Sequence, residues 1–298
     1  MYRWTVAAFA AVGAAVALAV AGLGTSAYAA DRDKAPVYVK ALAPVATNDI
    51  LKVNNQFYLD FAATNFNYKE LFGGGILDTE KGWASPGLQY SLSMMTNVFD
   101  IRNVYASATL TWTHGDITHG EANPAFNGMP THSDVKDYDL RIGKGFDIGS
   151  TFMLTPYLGV GWHDWSRVFP GAGGYAELYN HYYEGGGLLA QYSPLPNWVL
   201  SAYGLAGKTQ GSHLDVTRTP GGFPIPPQTF VLGDSTIFLA GGSIDYAIYK
   251  QWHANVGFDY TNFKYGISPV GVGGFLEPDS RTSNFTVKAG VGYSFYTP

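Results

Sequence analysis

The stretch that decides the fold is residues 284–295, NFTVKAGVGYSF, in which apolar residues alternate with polar or small ones without a break. Successive side chains of a strand point to opposite sides, so the apolar members share one face. That face consists of Phe285, Val287, Ala289, Val291, Tyr293 and Phe295. A strand that crosses a bilayer in a β-barrel needs about 9–11 residues, with apolar side chains toward lipid and polar or small ones toward the lumen. The stretch therefore predicts a transmembrane β-barrel strand.

The same alternation recurs nine times upstream, which makes ten strands, and single-chain bacterial barrels have an even number. The predicted strands begin near Gln56, Leu88, Val104, Asp137, Met153, Leu178, Trp198, Phe238, Ala254 and Asn284. The sixth and seventh are rich in glycine, so their registers are ambiguous and Glu184 is assigned to neither face. The predicted fold class is all-β, a transmembrane antiparallel up-and-down barrel of about ten strands. A soluble β-sandwich shows the same period and is an alternative at this point.

The connections alternate in length, as in outer-membrane barrels, which have short periplasmic turns and longer outer loops. Short connections follow the even strands, at residues 97–100, 147–150, 193–197 and 249–251. Longer ones follow the odd strands, at 69–84, 115–134, 167–175, 209–232 and 266–282. This order predicts a multi-pass protein of the outer membrane with both termini in the periplasm. Trp198 and Trp252 each begin a strand after a short turn, where the inner aromatic girdle is expected, together with Tyr293 and Phe295 near the chain end.

Ahead of the barrel the sequence predicts two segments. Residues 1–29 have the features of a signal peptide: Arg3 is the only charge, an apolar run follows, and Ala27-Tyr28-Ala29 fits a small-x-small cleavage pattern. Residues 30–54 contain Pro36 and Pro44 without sustained periodicity and are interpreted as a periplasmic linker. The predicted barrel is residues 55–298.

The composition excludes several function classes. Charged residues make up only 14% of the chain and the formal charge is −5, which argues against nucleic acid as a partner. There is no cysteine, so thiol catalysis and thiolate metal sites are excluded. No phosphate-binding glycine loop or nucleophile elbow precedes a helical pattern, and no cofactor is predicted.

Charged residues fall on the polar faces of the predicted strands, toward the lumen. They are Asp60, Asp137, Asp139, Arg141, Asp245, Asp259 and Lys288. They could line an ion path or hold a ligand, or they could form a salt-bridge network. A barrel of this size is largely filled by its own side chains, where an unpaired charge is costly, so the sequence favours the network.

The second long connection is rich in possible metal ligands. His114, Asp116, His119 and His132 could gather a divalent cation, because imidazole and carboxylate are suitable donors. None of them has the spacing of a recognised metal motif, so the preferred interpretation is a solvated polar loop without metal.

The terminal strand resembles that of Gram-negative outer-membrane barrels, in which an aromatic near the chain end belongs to the signal read by the assembly machinery; Tyr293 and Phe295 match it. The motifs FNYKE (66–70), TPYLGVG (155–161) and FLEP (275–278) resemble a largely uncharacterised family of small porin-like outer-membrane proteins. This resemblance implies outer-membrane lipid, lipopolysaccharide and the assembly machinery as partners, and it supplies no catalytic residue.

The predicted ten-stranded barrel also resembles the omptin surface proteases, which are ten-stranded barrels. Omptins carry an Asp-x-Asp pair and an Asp-x-His pair in their outer loops. Asp137-Tyr138-Asp139 has the first spacing but lies on a predicted strand, and His213-Leu214-Asp215 reverses the second. The sequence therefore predicts a non-enzymatic barrel, acting as an envelope structural or surface-contact protein or as a narrow low-conductance porin-like channel. An omptin-like protease with its site at the outer rim is the alternative.

Overall fold

The computed structural model of the protein describes residues 48–121, 127–170, 174–218 and 227–296. The predicted signal peptide and the predicted linker up to residue 47 lie outside these ranges. Most of the described residues form strands, joined by turns and short irregular segments; one helix, α1 (Asn48–Val53), and a 3-10 turn at Val272–Gly274 complete the described part. No helix in this part of the chain is long and apolar enough to cross a membrane.

Ten antiparallel strands close into a ring, and two short strands are added to it. The strands are β1 (Gln56–Phe72), β2 (Gly75–Val98), β3 (Ile101–Glu121), β4 (Pro130–Lys144), β5 (Phe146–Ile148), β6 (Phe152–Val168), β7 (Tyr175–Tyr192), β8 (Trp198–Arg218), β9 (Gln228–Val231), β10 (Thr236–Tyr249), β11 (Trp252–Tyr265) and β12 (Asp279–Ser294). The ring runs β1-β2-β3-β4-β6-β7-β8-β10-β11-β12, and β12 pairs with β1 to close it. β5 pairs with β6, and β9 with β8. The predicted fold class and strand number are confirmed.

Both ends of the described chain meet at one end of the barrel, which we call the near end. α1 leads directly into β1, and the backbone N–H of Phe295 donates to the carbonyl of Asn55 at 3.0 Å. The opposite end, which holds hairpin tips such as Gly73–Gly74, is the far end.

The predicted faces of the terminal strand are those of the structure. Val287 and Val291 are 40% and 49% exposed on the outside of the barrel, while Thr286 and Ser294 are buried inside it. The aromatic residues of the predicted girdle lie together at the near end. Trp198 packs on Tyr246, with ring centroids 4.6 Å apart, Trp252 packs on Tyr293 at 5.2 Å, and Phe295 is exposed next to them. An apolar band with aromatic residues at its edge is the surface that a bilayer requires.

The strands run farther than the sequence predicted. The segments 69–84, 115–134 and 209–232 were expected to be loops, but β1 continues to Phe72, β2 begins at Gly75, β3 reaches Glu121 and β8 reaches Arg218. The 24 residues of β2 span about 80 Å, well beyond the roughly 10 residues that cross a bilayer. The prediction of long loops was wrong because alternation continues here with polar residues outside and large aromatic residues inside. We call the part of the described chain beyond the apolar band the far-end extension, comprising residues 66–87, 113–121, 127–136, 163–170, 174–181, 207–218, 227–237 and 262–284.

The structure also resolves the glycine-rich strands whose registers were ambiguous. Tyr183 points into the lumen and is buried, so its neighbour Glu184 points outward, where it accepts a hydrogen bond of 2.6 Å from Gln210 Nε2. Gly161 on β6 makes this possible, because a Cβ added there would lie 2.2 Å from the Tyr183 ring. The glycine thus leaves room for an aromatic side chain inside the barrel.

Candidate functional site

The lumen at the near end is filled by α1, although the sequence assigned these residues to the linker. Ile50, Leu51 and Val53 are buried in an apolar cluster that includes Met95, Met153 and Leu189 of the barrel wall. Polar contacts fix this helix in place, since the Asn54 amide exchanges two hydrogen bonds with that of Gln191 at 2.6 and 2.9 Å. Asn55 in turn exchanges hydrogen bonds with the Met95 backbone, at 3.0 Å in each direction. The helix therefore forms a plug held to the wall.

The middle of the lumen contains the charged residues that the sequence placed on inward faces. Arg141 Nε donates to Asp139 Oδ1 at 2.5 Å, and its guanidinium lies 4.1 Å from the centre of the Tyr203 ring. Lys288 Nζ donates to Asp259 Oδ2 at 2.7 Å, and the same carboxylate accepts from the Tyr203 hydroxyl at 2.8 Å. The two ion pairs are linked through Tyr203 and form one network across the lumen.

The remaining inward acids lie at the edges of this network. Asp60 accepts from Asn255 Nδ2 at 2.9 Å. Asp245 contacts the Tyr58 hydroxyl and His253 Nδ1, the latter at 2.7 Å. All five acids are therefore hydrogen-bonded, since Asp137 also has a partner, as described below. Buried charges of this kind are tolerated when they are paired.

Two adjoining cavities of about 120 and 140 Å³ flank the network. They share a wall made of Gln89, Ser91, Thr109, Arg141, Tyr203 and Lys288. The cavity toward the near end touches Val53 and Asn54, so α1 covers it. The cavity toward the far end, which we call the far cavity, is lined by His163, His181 and Phe263. Each has room for only a few water molecules.

The far-end extension is closed by a fully buried arginine, Arg167 of β6. Its Nη2 lies 2.9 Å from Glu70 Oε1, its Nη1 lies 3.4 Å from Glu80 Oε1 and 3.6 Å from Asp78 Oδ2, and its Nε contacts Glu177. Aromatic rings surround the guanidinium within 5.2 to 5.5 Å; they belong to Tyr68, Trp165, Phe169 and Tyr179. Cations are attracted to such ring faces.

Acidic residues outnumber basic ones around Arg167, and the pKa values of two of the acidic residues are raised. Asp78 lies four residues from the Gly73–Gly74 turn, outside the apolar band, and burial raises its pKa to about 8 despite the opposing effect of Arg167. Glu277 lies in the connection before β12, where burial and the neighbouring Glu70 raise its pKa well above the ordinary value. Burial disfavours the ionised carboxylate, and like charges add to that effect. Part of this cluster is therefore protonated near neutral pH.

The four weak metal candidates do not come together. His114, Asp116 and His132 lie on the outer surface, where His132 contacts Asp116, whereas His119 points inside and bonds to Glu80 at 2.8 Å. Within the described ranges, no group of three or more histidine and acidic side chains has the geometry to hold a metal ion. The segment 122–126, which adjoins them, lies outside the described residues.

The residues compared with the omptin pairs are also separated. Asp137 and Asp139 line the far cavity, and Asp139 accepts from the Tyr183 hydroxyl at 2.7 Å in addition to its bond with Arg141. His213 and Asp215 lie on the other side of the wall of β8, because Leu214 between them is the inward residue and is fully buried. The barrel wall separates the two pairs.

Neither the Arg167 cluster nor the plug was predicted from the sequence. Arg167 and Glu70 fell in predicted connections, and Glu177 lay just before the predicted sixth strand, so none of the three was assigned to an inward face. A usable signal existed, since Trp165 and Arg167 continue the inward alternation of β6 and Tyr68 and Glu70 continue that of β1.

Comparison with known proteins gives fold similarity without sequence similarity. No protein-family model matches the chain, and no curated protein matches it. Among solved structures, the outer membrane protease OmpT from Escherichia coli superposes with a TM-score of 0.57 at 11% identity, covering 80% of this chain and 95% of OmpT. The chain has the outer-membrane β-barrel fold. The toluene transporter TodX from Pseudomonas putida matches with a TM-score of 0.36 and 13% identity, covering 85% of this chain and 94% of TodX. At these identities the likeness extends to the fold alone.

Proposed function

We propose that this protein is a non-enzymatic outer-membrane barrel with a closed lumen, acting as an envelope structural and surface-contact protein. The observation that carries the proposal is that three layers block the lumen in series. They are the α1 plug at the near end, the network around Arg141 and Asp259 in the middle, and the cluster around Arg167 in the far-end extension. An ion would have to pass all three, and the two cavities between them are small.

The far-end extension is the part available for contact with partners. It extends the barrel beyond the apolar band, and its interior is stabilised by its own aromatic and charged core. Rigid strands give a precise platform on which hairpin tips are presented. In this proposal the near end faces the periplasm and the far end faces the outside of the cell.

Orientation can be tested with single cysteines, because the chain has none of its own. The two variants are Val231→Cys and Lys250→Cys. Val231 points outward in the far-end extension, and Lys250 lies in a near-end turn. A membrane-impermeant maleimide added to intact cells should label the first and spare the second until the outer membrane is opened. The reverse labelling pattern would overturn the orientation.

The closed lumen can be tested by single-channel recording of the purified protein in planar bilayers. We expect no large steady conductance, and we expect none from Arg141→Ala or Asp139→Ala either, because the layers on both sides remain. Small wild-type events that change with these substitutions would favour the narrow-channel function. A large steady current in the wild type would show that the lumen is open.

The protease alternative has its own test. We expect no cleavage of basic or neutral peptides, because the barrel wall separates Asp137 and Asp139 from His213. Cleavage that is lost on replacing Asp116 or His213 would overturn the non-enzymatic proposal.

A further inference from the structure

Two histidines of the far cavity have a nitrogen that nothing in the described chain pairs with. His163 of β6 and His181 of β7 are opposite each other in the strand register, and they are 2% and 0% exposed. Their ring centroids are 5.1 Å apart. The Nε2 atom of each is buried without a hydrogen-bond partner among the described residues. A buried polar atom without a partner is costly, so such atoms call for an explanation.

The other nitrogen of each ring is held by a partner. Asp137 Oδ1 lies 2.6 Å from Nδ1 of His163, and the hydroxyl of Tyr265 lies 2.8 Å from Nδ1 of His181. A carboxylate only accepts hydrogen bonds, so Nδ1 of His163 carries the hydrogen and a neutral ring leaves its lone pair on Nε2. Metal-binding histidines are oriented in this way, by a carboxylate or another polar group on the nitrogen that does not bind the metal.

The free nitrogens belong to side chains that face the same cavity from adjacent strands. Asp137 is on β4, and β6 lies between β4 and β7. The contact with Asp137 therefore occupies the Nδ1 edge of His163 and leaves its Nε2 for a ligand. On β7, the hydroxyl of Tyr265 of β11 likewise occupies the Nδ1 edge of His181 and leaves its Nε2 for a ligand.

We propose that His163 and His181 together bind one divalent transition-metal ion, of the Zn²⁺ or Cu²⁺ class, in the far cavity. Imidazole nitrogen is a preferred donor for these ions, and a metal–nitrogen bond is about 2.0–2.1 Å long. With that bond length and a near-tetrahedral angle, two imidazoles on one ion have ring centroids roughly 5 Å apart. The observed separation of the two ring centroids, 5.1 Å, agrees with this distance.

The charges around the far cavity favour a cation. Its lining includes three carboxylates, Asp137, Asp139 and Asp259, against two cations, Arg141 and Lys288. The described residues offer no third histidine or acidic ligand in place. Water or a small anion completes the coordination, and open positions of this kind distinguish an exchangeable ion from a closed structural site.

The chain supplies a matched internal control in His253. This histidine is 1% exposed, its Nδ1 lies 2.7 Å from Asp245 Oδ1, and its Nε2 is also without a partner among the described residues. Its register partners, however, are Ala247 and Gly292. His253 therefore has the same supporting contact and the same burial as His163, but no second imidazole opposite it.

The test is metal titration of the full-length folded barrel in detergent, freed of any histidine tag and stripped with a chelator. ZnCl₂ is followed by calorimetry and CuCl₂ by electron paramagnetic resonance. We expect one ion per barrel and coupling of Cu²⁺ to two imidazole nitrogens. His163→Gln and His181→Gln should each weaken metal binding at least tenfold, and the double variant should no longer bind the one ion per barrel.

Control variants separate this site from adventitious binding. His253→Gln and the outward-facing His213→Gln should leave affinity and stoichiometry unchanged. Asp137→Asn should weaken binding about tenfold while both imidazoles remain, which is the usual effect of removing a supporting carboxylate. Unchanged binding in the His163/His181 double variant, or equal loss in His253→Gln, would overturn the proposal.

A variant that fails to fold does not prevent a decision. Heat-modifiable gel migration reports folding of each variant, and wild-type protein labelled with ¹⁵N-histidine gives the number of coordinated imidazoles directly. Coupling to one nitrogen or to none would refute a two-histidine site. The metal site is independent of whether the barrel conducts ions, so failure of one proposal is not failure of the other.

Discussion

Replacing Arg167 with methionine removes the cation at the centre of the far-end extension while keeping a long apolar side chain. The structure places four carboxylates around this guanidinium, belonging to Glu70, Asp78, Glu80 and Glu177. Removing one partner from a buried ion pair costs about 3–5 kcal/mol, because the remaining charge is left without compensation. We expect Arg167→Met to destabilise the far-end extension by at least the lower figure at alkaline pH.

The size of the effect should depend on pH in a defined direction. Burial raises the pKa of Asp78 to about 8, and that of Glu277 is also raised. A carboxyl group with a raised pKa in the folded state stabilises that state fully below its unfolded pKa of about 4, and this contribution is lost as the pH rises to the folded pKa. The wild type should therefore be more stable at pH 6 than at pH 9. In Arg167→Met the carboxyl groups can still protonate at pH 6, so the loss should be smaller there and larger at pH 9.

The assay must report on the far-end extension separately from the membrane band. Hydrogen exchange followed by mass spectrometry gives local opening free energies, and we expect faster exchange in residues 163–170 and 174–181 with little change in residues 284–295. Arg281→Met on β12 is the control, because Arg281 is exposed. Two outcomes would refute the reasoning. One is that Arg167→Met exchanges hydrogen at the same rates as the wild type at both pH values, and the other is that the variant is destabilised equally at pH 6 and pH 9.

Two further predictions concern the barrel wall. Val287→Arg should slow or prevent insertion into lipid vesicles, because a cation near the bilayer midplane costs about 2–4 kcal/mol. Val231→Arg, a matched change on the outside of the far-end extension, should insert normally. Equal insertion of the two variants would show that Val287 does not lie in the membrane-facing band. Gly161→Ala should destabilise the barrel by about 1–3 kcal/mol in urea unfolding, because the new Cβ would lie 2.2 Å from the Tyr183 ring. Gly186→Ala is its control, having open space at that position, and an equal loss there would show that the contact with Tyr183 is not the cause.

The period of two was enough to predict the barrel and its two faces. Tyr157 and His163 are buried inside and Leu158 is exposed outside, as the alternation on β6 predicted. Each strand had to satisfy the same requirement, with apolar side chains outside and polar or small ones inside, so the pattern repeated often enough to count the strands. The charged residues of the lumen also lie on the inward faces that the alternation indicated, because the face of a residue depends only on whether its position along the strand is odd or even.

Partners across the lumen could not be predicted in the same way. Tyr68 and Tyr179 are 111 residues apart, and their hydroxyls are 3.1 Å apart inside the barrel. That contact depends on the stagger of the strands around the ring, which the sequence does not state, because each strand could shift by two residues and keep its faces. The Arg167 cluster depends on the same stagger, so the sequence did not show which of its charges meet.

The far-end extension shows why polarity alone is a poor guide to where a strand ends. In the membrane band an outward residue must be apolar, but beyond the bilayer the outside is water and polar residues take its place, as Thr79 and Lys81 do on β2. Pairing of β2 with β1 and β3 resumes beyond a register shift between Lys81 and Gly87, because the ladder requires only backbone groups. Outside the bilayer, the strands are stabilised by apolar side chains packed inside the barrel, and Phe66, Tyr68 and Trp165 belong to this core. A continued inward period of large residues, on strands whose outward face has become polar, therefore indicates a barrel that extends beyond the membrane.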